Sequence, residues 1–383
     1  MSTDTAADDA PVLFEERVAG NGTRIGIATL NAPRTLNGFS LPMANLLLKQ
    51  LNAWADDDGI AMVVLQGAGE KAFCAGGDLH SLYKSMVAFR DAGRRDIREN
   101  DYAAEFFDVE YRVDYLIHTY AKPILCWGHG IVMGGGIGLL AGASHRVVTP
   151  QSRLAMPEIH IGLYPDVGGS WFLRRMPGRT GLFLALTAAN FNASDALFVG
   201  QADHLVPHER KPNVLADIAA ADWGNDAAAN RALLSRLLIA AGEGAQAPAS
   251  KLREHFDTIN ALMAGDDLLD IAARLNALQS EDAWLQGAAK AFAKGAPSSI
   301  ALSFALWQRV PRMSLAEVFR LEYWASLGFC AHKDFAEGIR AVLVDKDRNP
   351  KWSPASLAEI TPAFVEDHLR PRGEMAPELV GLV

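Results

Sequence analysis

Between Gly128 and Gly138 six of eleven residues are glycine, in the order Gly-His-Gly-Ile-Val-Met-Gly-Gly-Gly-Ile-Gly, directly behind the apolar run Ile124-Leu-Cys-Trp127. One regular element cannot run through such a stretch, because each glycine inside a helix or strand loses about 0.5–1 kcal/mol relative to alanine. The spacing predicts a strand over 124–127, a tight glycine turn and a helix from about 134 to 143. With no side chains in the way, backbone amides here can approach either a packed neighbouring strand or a ligand.

Two further segments share this character. Ala72-Phe-Cys-Ala-Gly-Gly-Asp78 carries a glycine pair, and Met156-Pro-Glu-Ile-His-Ile-Gly-Leu-Tyr-Pro-Asp-Val-Gly-Gly169 sets Glu158 and Asp166 eight residues apart in a stretch too punctuated by Pro and Gly to be one helix. Carboxylates accompanied by bare amides point to acyl chemistry. A P-loop is excluded by motif, and a dinucleotide fold or a serine hydrolase is poorly supported. There is no GxxxxGK[ST], the triple glycine falls too late for a dinucleotide fingerprint, and neither a GxSxG elbow nor an HExxH is present. His129, His145 and His160 are scattered and read as packing or hydrogen-bonding residues, so no metal is expected.

The chain of 383 residues, 50% hydrophobic, can bury a large core. Its net charge of −9 disfavours nucleic acid or an anionic membrane as partner, so an anionic ligand has to be held locally. Cys74, Cys126 and Cys330 are far apart and form no CxxC, which fits a reducing compartment. The acidic N-terminal stretch lacks the features of a signal or transit peptide, and the apolar residues from Ile131 to Ala143 fall short of the ~20 needed to span a bilayer. A cytoplasmic protein is expected.

The chain opens with a hairpin, strands over 12–18 and 24–30 joined around Asn21-Gly22. A helix over 41–55 follows, with Ser40 as N-cap, Pro42 in its first turn and Leu46, Leu47, Leu51 and Trp54 as its apolar positions. Short strands are predicted over 62–65 and near 146–148 and 154–155, and a helix over 105–115. Beyond about 210 the pattern is helical, broken at 242–249, with a capping box at Ser314-Leu-Ala-Glu317. Leu315, Val318 and Phe319 are expected on one face of the helix it opens.

Taken together, Ala72 to Asp78 and Lys122-Pro-Ile-Leu-Cys-Trp-Gly-His-Gly-Ile-Val-Met-Gly-Gly-Gly136 resemble the two oxyanion-hole segments of the crotonase (enoyl-CoA hydratase/isomerase) superfamily. The resemblance implies an α/β fold, a spiral of repeated ββα units over 12–210, with a helical C-terminal region over 211–383 packing on it. It also implies an acyl-CoA substrate whose thioester carbonyl is polarised by the N–H groups of Gly77 and Gly135. Within the superfamily the segments Met156 to Glu158, Ile161 to Gly169 and Asp334-Phe-Ala-Glu-Gly-Ile-Arg-Ala-Val-Leu-Val-Asp-Lys-Asp347 are similar to a subgroup that hydrolyses short β-hydroxyacyl-CoA thioesters, 3-hydroxyisobutyryl-CoA foremost.

The departure from the hydratases points the same way. Hydratases that use two glutamates carry the first two residues after the triple glycine, where this chain has Gly138; the second corresponds to Glu158. The resemblance makes Glu158 the nucleophile or general base, Asp166 the acceptor for the substrate hydroxyl, and Glu110 a further acidic residue of the substrate site. It implies no separate cofactor, coenzyme A being part of the substrate. An enoyl-CoA hydratase or isomerase using Glu158 alone, and a CoA-binding protein without turnover, are the competing readings. Whether the protein is a monomer or a homo-oligomer is left open by these residues.

Overall fold

The structure, a computed structural model, describes residues 10–383. The N-terminal stretch read above therefore lies, but for Ala10 and Pro11, outside the described residues. Among the described residues ten strands form, β1 (Val12–Val18), β2 (Arg24–Leu30), β3 (Ile60–Gly67), β4 (Ala72–Cys74), β5 (Ile124–Gly128), β6 (Ile131–Met133), β7 (His145–Val148), β8 (Arg153–Ala155), β9 (Phe191–Asn192) and β10 (His204–Leu205). One sheet has the order β1-β2-β3-β5-β7-β10 and a second the order β4-β6-β8-β9. Three times the chain places a strand in the first sheet and the next in the second, β3 with β4, β5 with β6, β7 with β8, and a helix follows each pair. This is the repeated ββα pattern.

The chain divides into two compact units, neither continuous in sequence. The first comprises residues up to Gly77, Val113–Leu154 and Phe191–Ser250; the second comprises Asp78–Arg112, Ala155–Asn190 and Lys251–Val383. Residue 210 lies inside the first unit, which takes in the helices Lys211–Ala220 and Ala227–Gly242.

In the first unit β1 and β2 pair antiparallel as a hairpin, and β2 to β3, β3 to β5, β5 to β7 and β7 to β10 are parallel. The central strands β3 and β5 are buried almost throughout, which explains their continuous apolar sequences. Ile25, Ile27, Met62, Val64, Leu125, Trp127 and Val147 pack there with Val214, Ile218, Leu234 and Leu238 of the two helices just named. The helix Leu41–Asp56 starts as expected, the Ser40 side chain accepting from the Met43 amide. Its buried face is Met43, Ala44, Leu47, Leu51 and Trp54; Leu46, expected among them, points outward. Two of its short strands, β4 and β6, lie inside the glycine segments and were not foreseen.

These glycine segments are neighbours. A Cβ on Gly136 would come 2.3 Å from the Cys74 carbonyl oxygen, and one on Gly76 3.5 Å from that of Met133. The triple glycine thus lets the helix Gly135–Ala141 lie on the end of β4.

The second unit is helical. Thr180–Thr187 is buried at every position and serves as a central helix. Leu315–Ala331 begins with the expected capping box, Ser314 and Glu317 satisfying each other's backbone amides. Val318 and Phe319 are buried on it, while Leu315 is only half-buried. Among the described residues no helix is long and apolar enough to cross a membrane.

Gly136→Ala drives its Cβ into the Cys74 carbonyl, so it is expected to lower stability by about 1–3 kcal/mol. Gly287→Ala, with nothing within 4 Å, is expected to raise it by about 0.5–1 kcal/mol. Denaturant midpoints for the two variants check both, and equal midpoints would contradict the close approach.

Candidate active site

The expected site residues divide between the units, Gly77 and Gly135 in the first, Glu110, Glu158 and Asp166 in the second. In the first unit Gly77 bridges in parallel to Phe39, whose amide donates to the Gly76 carbonyl at 2.7 Å. In parallel pairing such contacts use the groups flanking the paired residue, which turns the Gly77 amide to the opposite side. Gly135 is the first residue of its helix, behind Gly134 at φ 50, and the first amides of a helix have no partner within it. Both positions present a backbone donor.

Beside β4 a cleft of about 400 Å³ is lined by Pro33, Arg34, Leu36, Asn37, Glu70 and Lys71, among others. Its side chains offer two cations and one carboxylate over an apolar floor. Elsewhere, Glu254, His255 and Asp282 are grouped closely enough to hold a metal ion. The Lys251 ammonium already lies 2.9 Å from Glu254 and 2.8 Å from Asp282.

In the second unit Glu158 opens a 3-10 turn, Glu158–His160, and its carbonyl accepts from Ile161 at 2.9 Å and Leu163 at 3.1 Å. The segment is braced from behind by the helix Asp334–Ile339. A Cβ on Gly162 would stand 2.3 Å from the Asp334 carbonyl oxygen, and one on Gly338 2.2 Å from the Ile161 carbonyl carbon. Backbone therefore lies directly on backbone. Asp334 is itself pinned, accepting from Ser298 Oγ at 2.5 Å and from the Ser353 amide at 2.8 Å.

Asp166 is followed by Val167 at φ 54, a strained conformation for a β-branched residue. The turn is held by Glu322 of helix Leu315–Ala331, whose carboxylate accepts from the Gly168 amide at 2.7 Å and the Ser170 amide at 2.9 Å. Asp166 is not the cap of the helix Gly169–Arg174; Glu322 takes that place. The Asp166 side chain turns instead to Tyr111, whose hydroxyl donates to its Oδ2 at 2.7 Å.

Glu158 is 4% and Asp166 5% exposed. Burial, with the Asp166 charge added, holds the Glu158 carboxyl well above the usual glutamate range. Burial pushes Asp166 up to about 6, opposed by the Tyr111 hydrogen bond. Burial also pushes Glu322 up to about 8 against its hydrogen bonds. Glu158 Oε2 is buried without a hydrogen-bond partner among the described residues. Desolvated acids of this kind cluster where acid–base chemistry is done. Glu110 is buried on the helix Asp101–His118, one residue before Tyr111.

Tyr111, Tyr164, Glu322 and Ser326 had no assigned role in the sequence reading. The signal for two of them was present, since Glu322 and Ser326 stand four apart on a helix that is otherwise apolar around them.

The chain belongs to the enoyl-CoA hydratase/isomerase family, whose model matches residues 25–369. Among curated relatives it is similar to "3-hydroxyisobutyryl-CoA hydrolase, mitochondrial" of Danio rerio, 38% identical over 90% of this chain and 86% of that one. The Homo sapiens protein of the same name is 33% identical over 91% and 86%. Among solved structures it is similar to a carnitinyl-CoA dehydratase from Mycobacterium thermoresistibile, 36% identical with a TM-score of 0.82 over 97% of this chain and 98% of that one. An enoyl-CoA hydratase from Rhodobacter sphaeroides 2.4.1 is 33% identical, with a TM-score of 0.80 over 94% and 97%. The α/β fold of repeated ββα units is thus shared with this family.

Because burial lifts the Glu158 pKa above its unfolded value, the folded protein binds more protons between the two values and loses stability as pH rises through them. Glu158→Gln removes that dependence. Its stability relative to the parent is expected to climb as pH goes from about 4 to neutrality. Urea unfolding at several pH values measures it, and a difference constant with pH would contradict the burial effect.

Proposed function

We propose that this chain hydrolyses a short β-hydroxyacyl-CoA thioester, 3-hydroxyisobutyryl-CoA, to the free hydroxy acid and coenzyme A. The observation that carries the reading is identity of 33–38% across nine-tenths of the chain to relatives bearing that activity in their names. The buried acid pair Glu158 and Asp166 supports it. The hydratase alternative is not favoured, because Gly138, where the two-glutamate hydratases have their first acid, is a buried glycine within the helix Gly135–Ala141.

In this reading attack at the thioester carbon forms a C–O bond and moves an electron pair onto the carbonyl oxygen. The N–H groups of Gly77 and Gly135 receive that charge, each such donor being worth about 3–4 kcal/mol in the transition state. Collapse breaks the C–S bond, the acyl group keeps OH from water, and the sulfur leaves with the remaining proton. Glu158 supplies the attack, either directly through a mixed anhydride or by taking the proton of a water. Its raised pKa suits a base that must exchange a proton near neutrality. Asp166 accepts a hydrogen bond from the substrate's 3-hydroxyl, and buried Glu110 is a further acid of the substrate site. Arg34 and Lys71 supply the local cations that the phosphates of coenzyme A need on a chain of net charge −9. The three cysteines, all free and buried, fit a reducing compartment. The sequence reading takes this as the cytoplasm; the names of the relatives say mitochondrial.

Free thiol and enoyl absorbance followed separately on 3-hydroxyisobutyryl-CoA and crotonyl-CoA test this. Thiol release from the hydroxyacyl substrate is expected; loss of enoyl absorbance without thiol release would replace hydrolysis by hydration. Glu158→Gln is expected to lower kcat by at least about a hundredfold with CoA binding retained. Near-parental turnover in that variant would remove Glu158 from the mechanism.

A further inference from the structure

Burial disfavours the charged form of Glu158 and of Asp166 alike, so the hydrogen bonds each receives matter to its ionisation. Glu158 Oε2 has no hydrogen-bond partner among the described residues, whereas Asp166 Oδ2 receives the Tyr111 hydroxyl at 2.7 Å. A donor favours the charged form of the group it faces.

Tyr111 is not alone. Its Oη lies 2.6 Å from Ser326 Oγ, which lies 3.1 Å from Tyr164 Oη, which in turn lies 2.8 Å from the main-chain carbonyl of Glu322. Tyr111, Ser326 and Tyr164 are fully buried, so water cannot substitute for any link. When Asp166 is ionised, Tyr111 gives its only proton to the carboxylate and must accept from Ser326. When Asp166 is protonated, the order reverses, with Asp166 donating to Tyr111, Tyr111 to Ser326, Ser326 to Tyr164 and Tyr164 to the Glu322 carbonyl. Every hydroxyl is satisfied in both directions, and a chain that points one way reinforces its own bonds. Burial holds Tyr111 well above the usual tyrosine range, so it stays a donor.

We propose that Tyr111, oriented by Ser326, is the positioning residue that holds buried Asp166 in its ionised form. The groups facing Asp166 are consistent with this assignment. Glu158 and Tyr164 come from its own segment, Tyr111 from helix Asp101–His118, and Glu322 and Cys330 from helix Leu315–Ala331. None of these is a cation, and among the described residues the Tyr111 hydroxyl is the side-chain donor that stabilises the anion. The consequence for catalysis rests on the hydroxyacyl-CoA reading. An anionic Asp166 accepts the substrate's hydroxyl, and a protonated one competes with it as a donor.

The test titrates Asp166 directly by carbon-13 NMR of the full chain labelled at aspartate carboxyls, the signal assigned by its loss in Asp166→Asn. In the parent it is expected to titrate at about 6. In Tyr111→Phe, which keeps the ring packed against Phe107 and Phe319, it is expected to move up by about one pH unit, a tenfold change in proton affinity. Ser326→Ala, which removes the orienting hydroxyl and leaves Tyr111, is expected to shift it in the same direction by less, and serves if Tyr111→Phe does not fold. An unchanged Asp166 titration in the folded variants overturns the proposal. The ratio of kcat/KM for 3-hydroxyisobutyryl-CoA to that for isobutyryl-CoA, measured against pH, reads the consequence separately. If Asp166 shifts but this ratio does not, the role of Tyr111 stands and the substrate contact assigned to Asp166 falls.

Discussion

Holding two carboxyl groups out of water within nine residues of chain is the constraint around which the second unit is built. Desolvation penalises each charge, and the segment from Met156 to Gly169 has little regular structure of its own with which to resist. The resistance comes from elsewhere in the unit. The helix Asp334–Ile339 meets Ile161 and Gly162 backbone to backbone, which only Gly162 and Gly338 permit. The Glu322 carboxylate fixes the turn after Asp166 through two amides. The residues doing this are themselves costly, since Glu322 is a buried acid whose pKa is pushed up to about 8. Stability is given up in the scaffold to keep the acids in place.

The first unit solves a different problem, exposing backbone rather than burying charge. Its parallel strands carry continuous apolar sequence and leave the glycine segments to the strand ends, where β4 runs into Gly76 and Gly77 and β6 into the triple glycine. A side chain at Gly136 would separate these two ends. Gly138, buried in the helix that begins there, offers no acid.

Much of this was legible in the residues where local chemistry decides the outcome. Asn21-Gly22 fixed the hairpin, Ser40 and Pro42 the start of a helix, and Ser314 with Glu317 a capping box, because each signal acts within a few residues. Strands of three residues such as β4 and β6 leave no period to detect, and glycine in their midst reads as a turn. Leu46 matched the helical spacing yet faces outward, since spacing alone does not say how wide the buried stripe is. The carboxylates Glu158 and Asp166 stood out by their setting among Pro and Gly. Their partners did not, because Tyr111 lies 55 residues from Asp166, and Glu322 lies 154 from Gly168. The division into units could not be read along the chain either, since each is assembled from three separate stretches.

The central claim is that burial keeps Glu158 protonated beyond the pH at which an ordinary glutamate ionises. Infrared difference spectroscopy of the parent against Glu158→Gln, taken about one unit above the usual glutamate pKa, tests this most directly. The account predicts a protonated-carboxyl band in the parent that the variant lacks. A lost carboxylate band in its place, showing Glu158 already ionised, would contradict it.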